Sequence, residues 1–301
     1  MAEKLAAVGW QGITLKAPPD WSLVGVSGDD KKGYFRVDSP VSSAIEVRWS
    51  PAQGKAPDLM TRGREFLANV EKACRKKKIR FSSKIRPDRD NSVDFVWRAD
   101  RLGQGRLLYC AGCDRVIIAQ VVSSREESVS HIAPVMLDSL TDHRPDGWVN
   151  WALYGMQFAV PAGYRVDKQS LMSGYLMLSF KSRAKTLVVE RWGLASSLLA
   201  EYGFEQWYRK DVMPDIKGYR VEVKAGDVGG FEGLVVKGVR SGLRQAVKAA
   251  AYSLTLHPHP KYLTGYAWHQ PESNRLFAVR ATHAEGEDIA DKARDSIFCG
   301  C

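Results

Sequence analysis

The sequence predicts an α+β fold: two similar domains, residues 1–146 and 147–301, each a mainly antiparallel sheet covered by helices. Three observations predict it. First, the chain repeats itself. The stretch from Trp10-Gln11-Gly12-Ile13 to Pro18-Pro19-Asp20-Trp21 recurs as Leu153-Tyr154-Gly155-Met156 to Pro161-Ala162-Gly163-Tyr164. Likewise Arg48-Trp49 recurs as Arg191-Trp192, and Asp138-Ser139-Leu140 as Asp295-Ser296-Ile297. Repetition on this scale is a duplicated domain, because solenoid periods run about 20–50 residues. Second, each copy holds a series of short segments rich in β-branched and aromatic residues, and tight turns between them join neighbours antiparallel. Third, each copy has two stretches of helical spacing, which need an apolar surface to cover.

In the first copy Gly12–Ala17 alternates apolar and polar residues, as a half-buried strand does. Pro18-Pro19-Asp20 stops it, and Trp21 opens the next strand. Gly28–Gly33 is a turn in which glycine supplies positive φ. Tyr34–Val37 and Ile45–Trp49 read as paired strands about Asp38-Ser39-Pro40. Asp58 caps a helix that runs through Cys74, with Cys74 on its apolar side. Strands at Ile79–Ile85, Val93–Ala99, Arg106–Tyr109 and Val116–Val122 follow, and a closing helix spans Glu126 to Leu140. The second copy repeats the order: strands near Phe158, at Tyr175–Phe180 and at Thr186–Trp192, a helix over Leu198–Val212, more strands, and a last helix over Asp288–Phe298. Gly226-Asp227-Val228-Gly229-Gly230 precedes a strand and reads as a hairpin turn, not a dinucleotide loop. Trp10, Trp21, Trp49, Trp97, Trp151 and Trp192 fall on strand patterns as packing residues. Trp207, Tyr208, Tyr266 and Trp268 are expected at the surface.

The repeated frame is Trp/Leu-x-Gly-Ile/Met-x-Leu/Phe-x-Ala/Val-Pro-x-x-Trp/Tyr, followed by a Gly-aromatic strand and a strand ending in Arg-Trp. It resembles the PsbP-like fold, in tandem, across both halves. The resemblance implies a two-layer sandwich and a role in binding GTPases or photosystem components rather than catalysis. It carries over no functional residue, since the shared positions are strand and turn residues.

The chain has a net charge of +10 and a pI near 9.3. Part of the excess is local: Arg75-Lys76-Lys77-Lys78 and Arg80 close the first helix, where cations suit the helix dipole. A nucleic-acid partner would bind through this segment, Lys72–Arg89, although only Phe81 is close enough to offer stacking. No apolar run approaches the ~20 residues of a membrane span. The start, Met1–Val8, lacks the charged and long apolar parts of a signal peptide. A cytoplasmic protein without membrane contact is expected.

Four of the five cysteines form close pairs, Cys110-Ala111-Gly112-Cys113 and Cys299-Gly300-Cys301. Both spacings let two thiolates reach one ion, so Cys110, Cys113, Cys299 and Cys301 are candidate ligands of one structural zinc. A disulfide, lipid attachment at an end that resembles the Rab-type prenylation signal, and inert thiols are the alternatives. Each pair exists in one copy only: Cys299 and Cys301 stand opposite Asp142 and Arg144. His257-Pro258-His259-Pro260, with His269, offers a second metal candidate. His131, His143 and His283 read as solvated or capping residues. No serine-nucleophile elbow, zinc-protease helix or kinase set occurs. The expected function is therefore a non-catalytic binding or scaffold protein with a protein partner. The alternative is a metal-binding protein or metal-dependent enzyme that uses the paired cysteines or His257 and His259.

Overall fold

The structure is a computed structural model that describes residues 5–53, 56–88, 91–124, 127–241 and 260–299. The chain divides into two compact units, Met1–Gln157 with Phe298–Gly300, and Phe158–Ile297 with Cys301.

Unit 1 opens with a hairpin of β1 (Ala6–Trp10) and β2 (Ile13–Ala17). Its two turn residues, Gln11 and Gly12, have φ of 55° and 85°, the left-handed pair that matches the twist of a two-residue hairpin. The main sheet follows: β3 (Ser22–Gly28), β4 (Gly33–Asp38), β5 (Ala44–Pro51), α1 (Leu59–Lys76), β6 (Ser82–Pro87), β7 (Ser92–Arg98), β8 (Leu102–Cys110) and β9 (Arg115–Ser123). Its spatial order is β3-β4-β5-β9-β8-β7-β6, antiparallel throughout. The short α2 (Ala133–Asp138) comes next, and then β10 (Trp148–Leu153), which pairs with β1.

Alternation fixes what each face of this sheet meets. Phe95, Trp97, Leu107 and Val116 share one face, where α1 buries Leu59 and Leu67 against them. Ile45, Val47, Ile117, Ala119 and Val121 share the other face and are fully buried. On that side α2 packs across β8, β9 and β2. Asp58 begins α1 by accepting from the Thr61 N–H at 3.1 Å, satisfying one of the helix's orphan donors.

β11 (Met156–Pro161) leads into the second sheet. That sheet contains β12 (Arg165–Met172), β13 (Tyr175–Ser182), β14 (Lys185–Gly193), β15 (Tyr219–Val228), β16 (Phe231–Arg240), β17 (Tyr262–Gln270) and β18 (Arg275–His283). Its order, β12-β13-β14-β18-β17-β16-β15, reproduces the connectivity of the first. The segment between β14 and β15 is helical but broken: α3 (Ala195–Glu201), α4 (Phe204–Trp207) and a π-helical turn at Tyr208–Val212. It buries Trp207, Tyr208 and Val212 against Leu234, Val236, Leu276 and Ala278. The closing helix, α5 (Ile289–Asp295), packs on β17 and β18. The final two-residue β19 (Phe298–Cys299) pairs with Met156 and Gln157 in unit 1.

Each unit contains the same local contact. In unit 1 the Lys16 N–H donates to Ser139 Oγ at 2.8 Å, just after α2. In unit 2 the Ala159 N–H donates to Ser296 Oγ at 2.8 Å, just after α5.

Several expectations need correction. The fold is β-rich with three antiparallel sheets, not an α+β sandwich of sheets covered by helices. Apart from α1, with 18 residues, the described helices are too short to form a layer: α2 has six residues and α5 seven. The closing helix expected over Glu126–Leu140 is described only at Ala133–Asp138, with Pro134 in its first turn. Trp207, Tyr208, Tyr266 and Trp268 are not at the surface; their exposures are 1, 1, 5 and 6%. The unit 2 helix breaks at Tyr202-Gly203, and the segment after it packs Trp207 and Tyr208 on the sheet. In β17 the Tyr266 hydroxyl donates to Asp291 of α5, and Trp268 stacks on Phe277.

Candidate metal centre

The β8–β9 hairpin ends at the paired residues Cys110 and Arg115, and its turn carries Cys113. Asp114, at φ 48°, closes the turn, and its carbonyl accepts from the Ala52 N–H at 2.8 Å. The Cys113 N–H donates to Cys110 Sγ at 3.4 Å. This is the arrangement a two-residue spacer allows, with the second cysteine's backbone turned onto the first sulfur.

The chain leaving α2 reaches the same place. Thr141 and Thr14 exchange backbone hydrogen bonds of 2.8 and 2.9 Å, which fixes the next two residues, Asp142 and His143. His143 Nδ1 lies 3.2 Å from Cys110 Sγ and 3.5 Å from Cys113 Sγ. Gly112 permits this approach, for a Cβ there would sit 3.1 Å from the imidazole ring. Asp142 is buried, with one oxygen paired to Arg115. Its second oxygen, Oδ2, has no hydrogen-bond partner and lies 4.0 Å from His143 Nδ1.

One ligand atom from each of Cys110, Cys113, Asp142 and His143 lies within 4.8 Å of all the others, the one such group among the described residues. Two sulfurs, one imidazole nitrogen and one carboxylate oxygen form the donor set zinc accepts in a tetrahedron, at ~2.3 Å to sulfur and ~2.0–2.2 Å to nitrogen and oxygen. Two thiolates and one carboxylate carry three negative charges, and a divalent ion together with Arg115 balances them. Arg115 is itself held by the Asp30 carbonyl at 2.8 Å and the Gln11 carbonyl at 3.3 Å, so it orients Asp142 as an outer-shell partner should.

Without an ion, burial and then the neighbouring Asp142 raise the Cys110 thiol pKa. Cys113 is exposed as a residue, yet the packing about its sulfur, with the charge of Asp142, pushes it up to about 12. Both are therefore thiols at neutral pH, the opposite of what a redox or nucleophilic cysteine needs.

Of the cysteines read as ligands from sequence, Cys110 and Cys113 come together. Cys299 lies in β19, and Cys301 is outside the described residues. His257 and His259 are also outside them. His269 lies one residue before the end of β17, opposite Leu276, and belongs to no such group among the described residues. His283 is buried rather than solvated, 2.9 Å from Thr264 Oγ1 and 2.7 Å from the Ala284 carbonyl. His143 is a member of the cluster, not simply a solvated or capping residue. Asp142 and His143 were missed because they lie about 30 residues from the cysteines on an irregular segment. One signal did point there: Asp142 stands opposite Cys299 in the self-alignment.

No family model and no curated protein matches the chain. A solved structure described as the immunity protein TplEi of the T6SS from Pseudomonas aeruginosa, complexed with "L" peptide, is 14% identical over 98% of both chains, with a TM-score of 0.34. DynU16, a putative protein in the dynemicin biosynthetic locus, is 8% identical over 97% of this chain and 92% of that one, with a TM-score of 0.17. Likeness at this level says nothing of what this chain does. Among the described residues, no helix is long and apolar enough to cross a membrane.

Proposed function

We propose that this is a metal-holding, non-catalytic binding protein in which Cys110, Cys113, Asp142 and His143 of unit 1 bind one structural zinc. The supporting observation is their convergence, with the buried Asp142 Oδ2 lacking any hydrogen bond beside two sulfurs and an imidazole. All four tetrahedral positions would be filled by protein, which is the closed arrangement of a structural site and leaves no position for a reacting water. The ion would tie the β8–β9 turn to the chain leaving α2.

The test is elemental analysis of the full chain, with cobalt as a spectroscopic probe. The expected result is one equivalent per chain and a thiolate-to-cobalt absorption band. Both should be lost in Cys110→Ser and weakened about 10–100-fold in His143→Ala. Protein that takes up neither zinc nor cobalt, or binds them equally after Cys110→Ser, rules the site out.

A further inference from the structure

The faces of the unit 1 sheet are covered unequally. α1 shields β6, β7 and β8 on one side, while α2 shields β8 and β9 on the other. Among the described residues, no helix lies across the α2 side of β6 and β7. That side forms a groove of about 720 Å³ with Val96 on its floor and Pro134 and Leu137 on its α2 wall. Val96 is 38% exposed there. The outer boundary is β6, the terminal strand of the sheet, so one row of its backbone N–H and C=O groups faces no neighbouring strand among the described residues.

The charged residues lining this groove are four cations, Lys84, Arg86, Arg98 and Arg106, and three carboxylates, Asp88, Asp94 and Asp138. Arg106 engages all three carboxylates, at 2.9, 2.8 and 2.8 Å, so the lining as a whole carries one excess positive charge. Lys84 and Arg86 on β6 share this face with Arg98 of β7, by the pairings Ser82 with Arg98, Lys84 with Val96 and Arg86 with Asp94. All three cations are exposed, and no ion pair among the described residues engages them. The equivalent edge of unit 2 differs: β15 carries Arg220, Glu222 and Lys224, and Glu222 pairs with Lys224 at 2.8 Å. One charge on an edge strand is enough to discourage stray pairing. A single-sign edge beside an amphipathic groove, in one copy of a duplicated sheet, calls for another reason.

We propose that β6 and this groove receive an acidic, extended segment of a partner protein, which adds a strand to the sheet. Backbone pairing along β6 would provide the affinity. Alternate acidic side chains would meet Lys84, Arg86 and Arg98 on the groove side, while the side chains between them turn to the opposite face of the sheet. The inference does not depend on the metal centre, which uses other residues.

The probe is a labelled peptide alternating Glu and Val, long enough to run the length of β6, titrated into the full chain by fluorescence anisotropy. Controls are its Lys-Val counterpart, a version N-methylated along one edge, and a single-stranded oligonucleotide of matched charge. The expected result is binding of the acidic peptide that is lost on N-methylation and roughly tenfold weaker in Lys84→Glu/Arg86→Glu. Both side chains are exposed, so a matching thermal melt confirms that the variant is folded. Unchanged binding to the variant, insensitivity to N-methylation, or no binding of the acidic peptide overturns the proposal. Binding of the oligonucleotide alone reassigns the cations to nucleic acid and overturns it equally.

Discussion

Asp142 gives one oxygen to Arg115 and leaves the other without a donor, in a place solvent scarcely reaches. An ion pair this deep is costly to break from one side, because the survivor stays charged and uncompensated. Arg115→Met should therefore destabilise unit 1 by about 3–5 kcal/mol in chelated protein, read from urea unfolding. Zinc at about 100 times its Kd should restore roughly 2.7 kcal/mol if the mutant still binds it. A variant as stable as the parent would mean that Asp142 is neutral or hydrated, and that would also weaken its candidacy as a ligand. Glutamate 127 shows the milder case. Burial raises its pKa, but the Ser39 hydroxyl at 2.6 Å and the N–H groups of Ser42 and Ser43 outweigh this and hold it below the usual range. A lowered folded-state pKa gives stability that is present above the ordinary glutamate range and is lost as pH falls through the folded value. Glu127→Gln should thus cost about 1 kcal/mol at neutral pH, solvent screening keeping it small. The gap to the parent should narrow as pH falls below the ordinary glutamate range, as urea midpoints at neutral and acid pH would show.

At the scale of elements, what could be read from sequence depended on whether a pattern was local. Asp58 and the apolar spacing to Cys74 announced α1, and the structure ends that helix within two residues of Cys74. The β1–β2 hairpin and its echo were legible because Gln11-Gly12 and Tyr154-Gly155 keep the same left-handed pair of turn residues. The Arg-Trp echo was less faithful. Trp49 pairs with Ile117 on the α2 side of its sheet, whereas Trp192 pairs with Leu276 and packs edge-on against Trp207 at 4.9 Å, on the helix side. Side chains alternate with a period of two, so a slip of one residue sends identical letters to opposite faces. The metal candidate was half legible for a related reason. A two-residue spacer is visible in sequence, but the approach of Asp142 and His143 depends on Thr14 meeting Thr141, a pairing across most of the unit.

At the scale of the whole chain, one connectivity is used twice, but the cysteine turn exists once. The β17–β18 hairpin, in the place of β8–β9, turns through Pro271-Glu272-Ser273 and Asn274 and carries no thiol. Zinc should therefore act on one unit alone. Hydrogen exchange is expected to slow at the amides around Cys110–Arg115 and Thr141–Arg144 when zinc is added, with β12–β18 unchanged. Protection spread evenly over both sheets would show that the ion binds elsewhere.

The shared strand order has a consequence for how the chain reaches its native state. In each sheet the strand before the long helical segment must wait for the last strand to arrive, as β5 waits for β9 and β14 for β18. On the ribosome, at roughly 5–20 residues per second, β9 emerges well before β18, so β5 finds its own mate first. Refolding from denaturant offers both mates at once, and crossed partnerships between the two look-alike sheets become the characteristic misassembly. Vectorial synthesis thus supplies an order of events that the duplicated topology by itself does not encode.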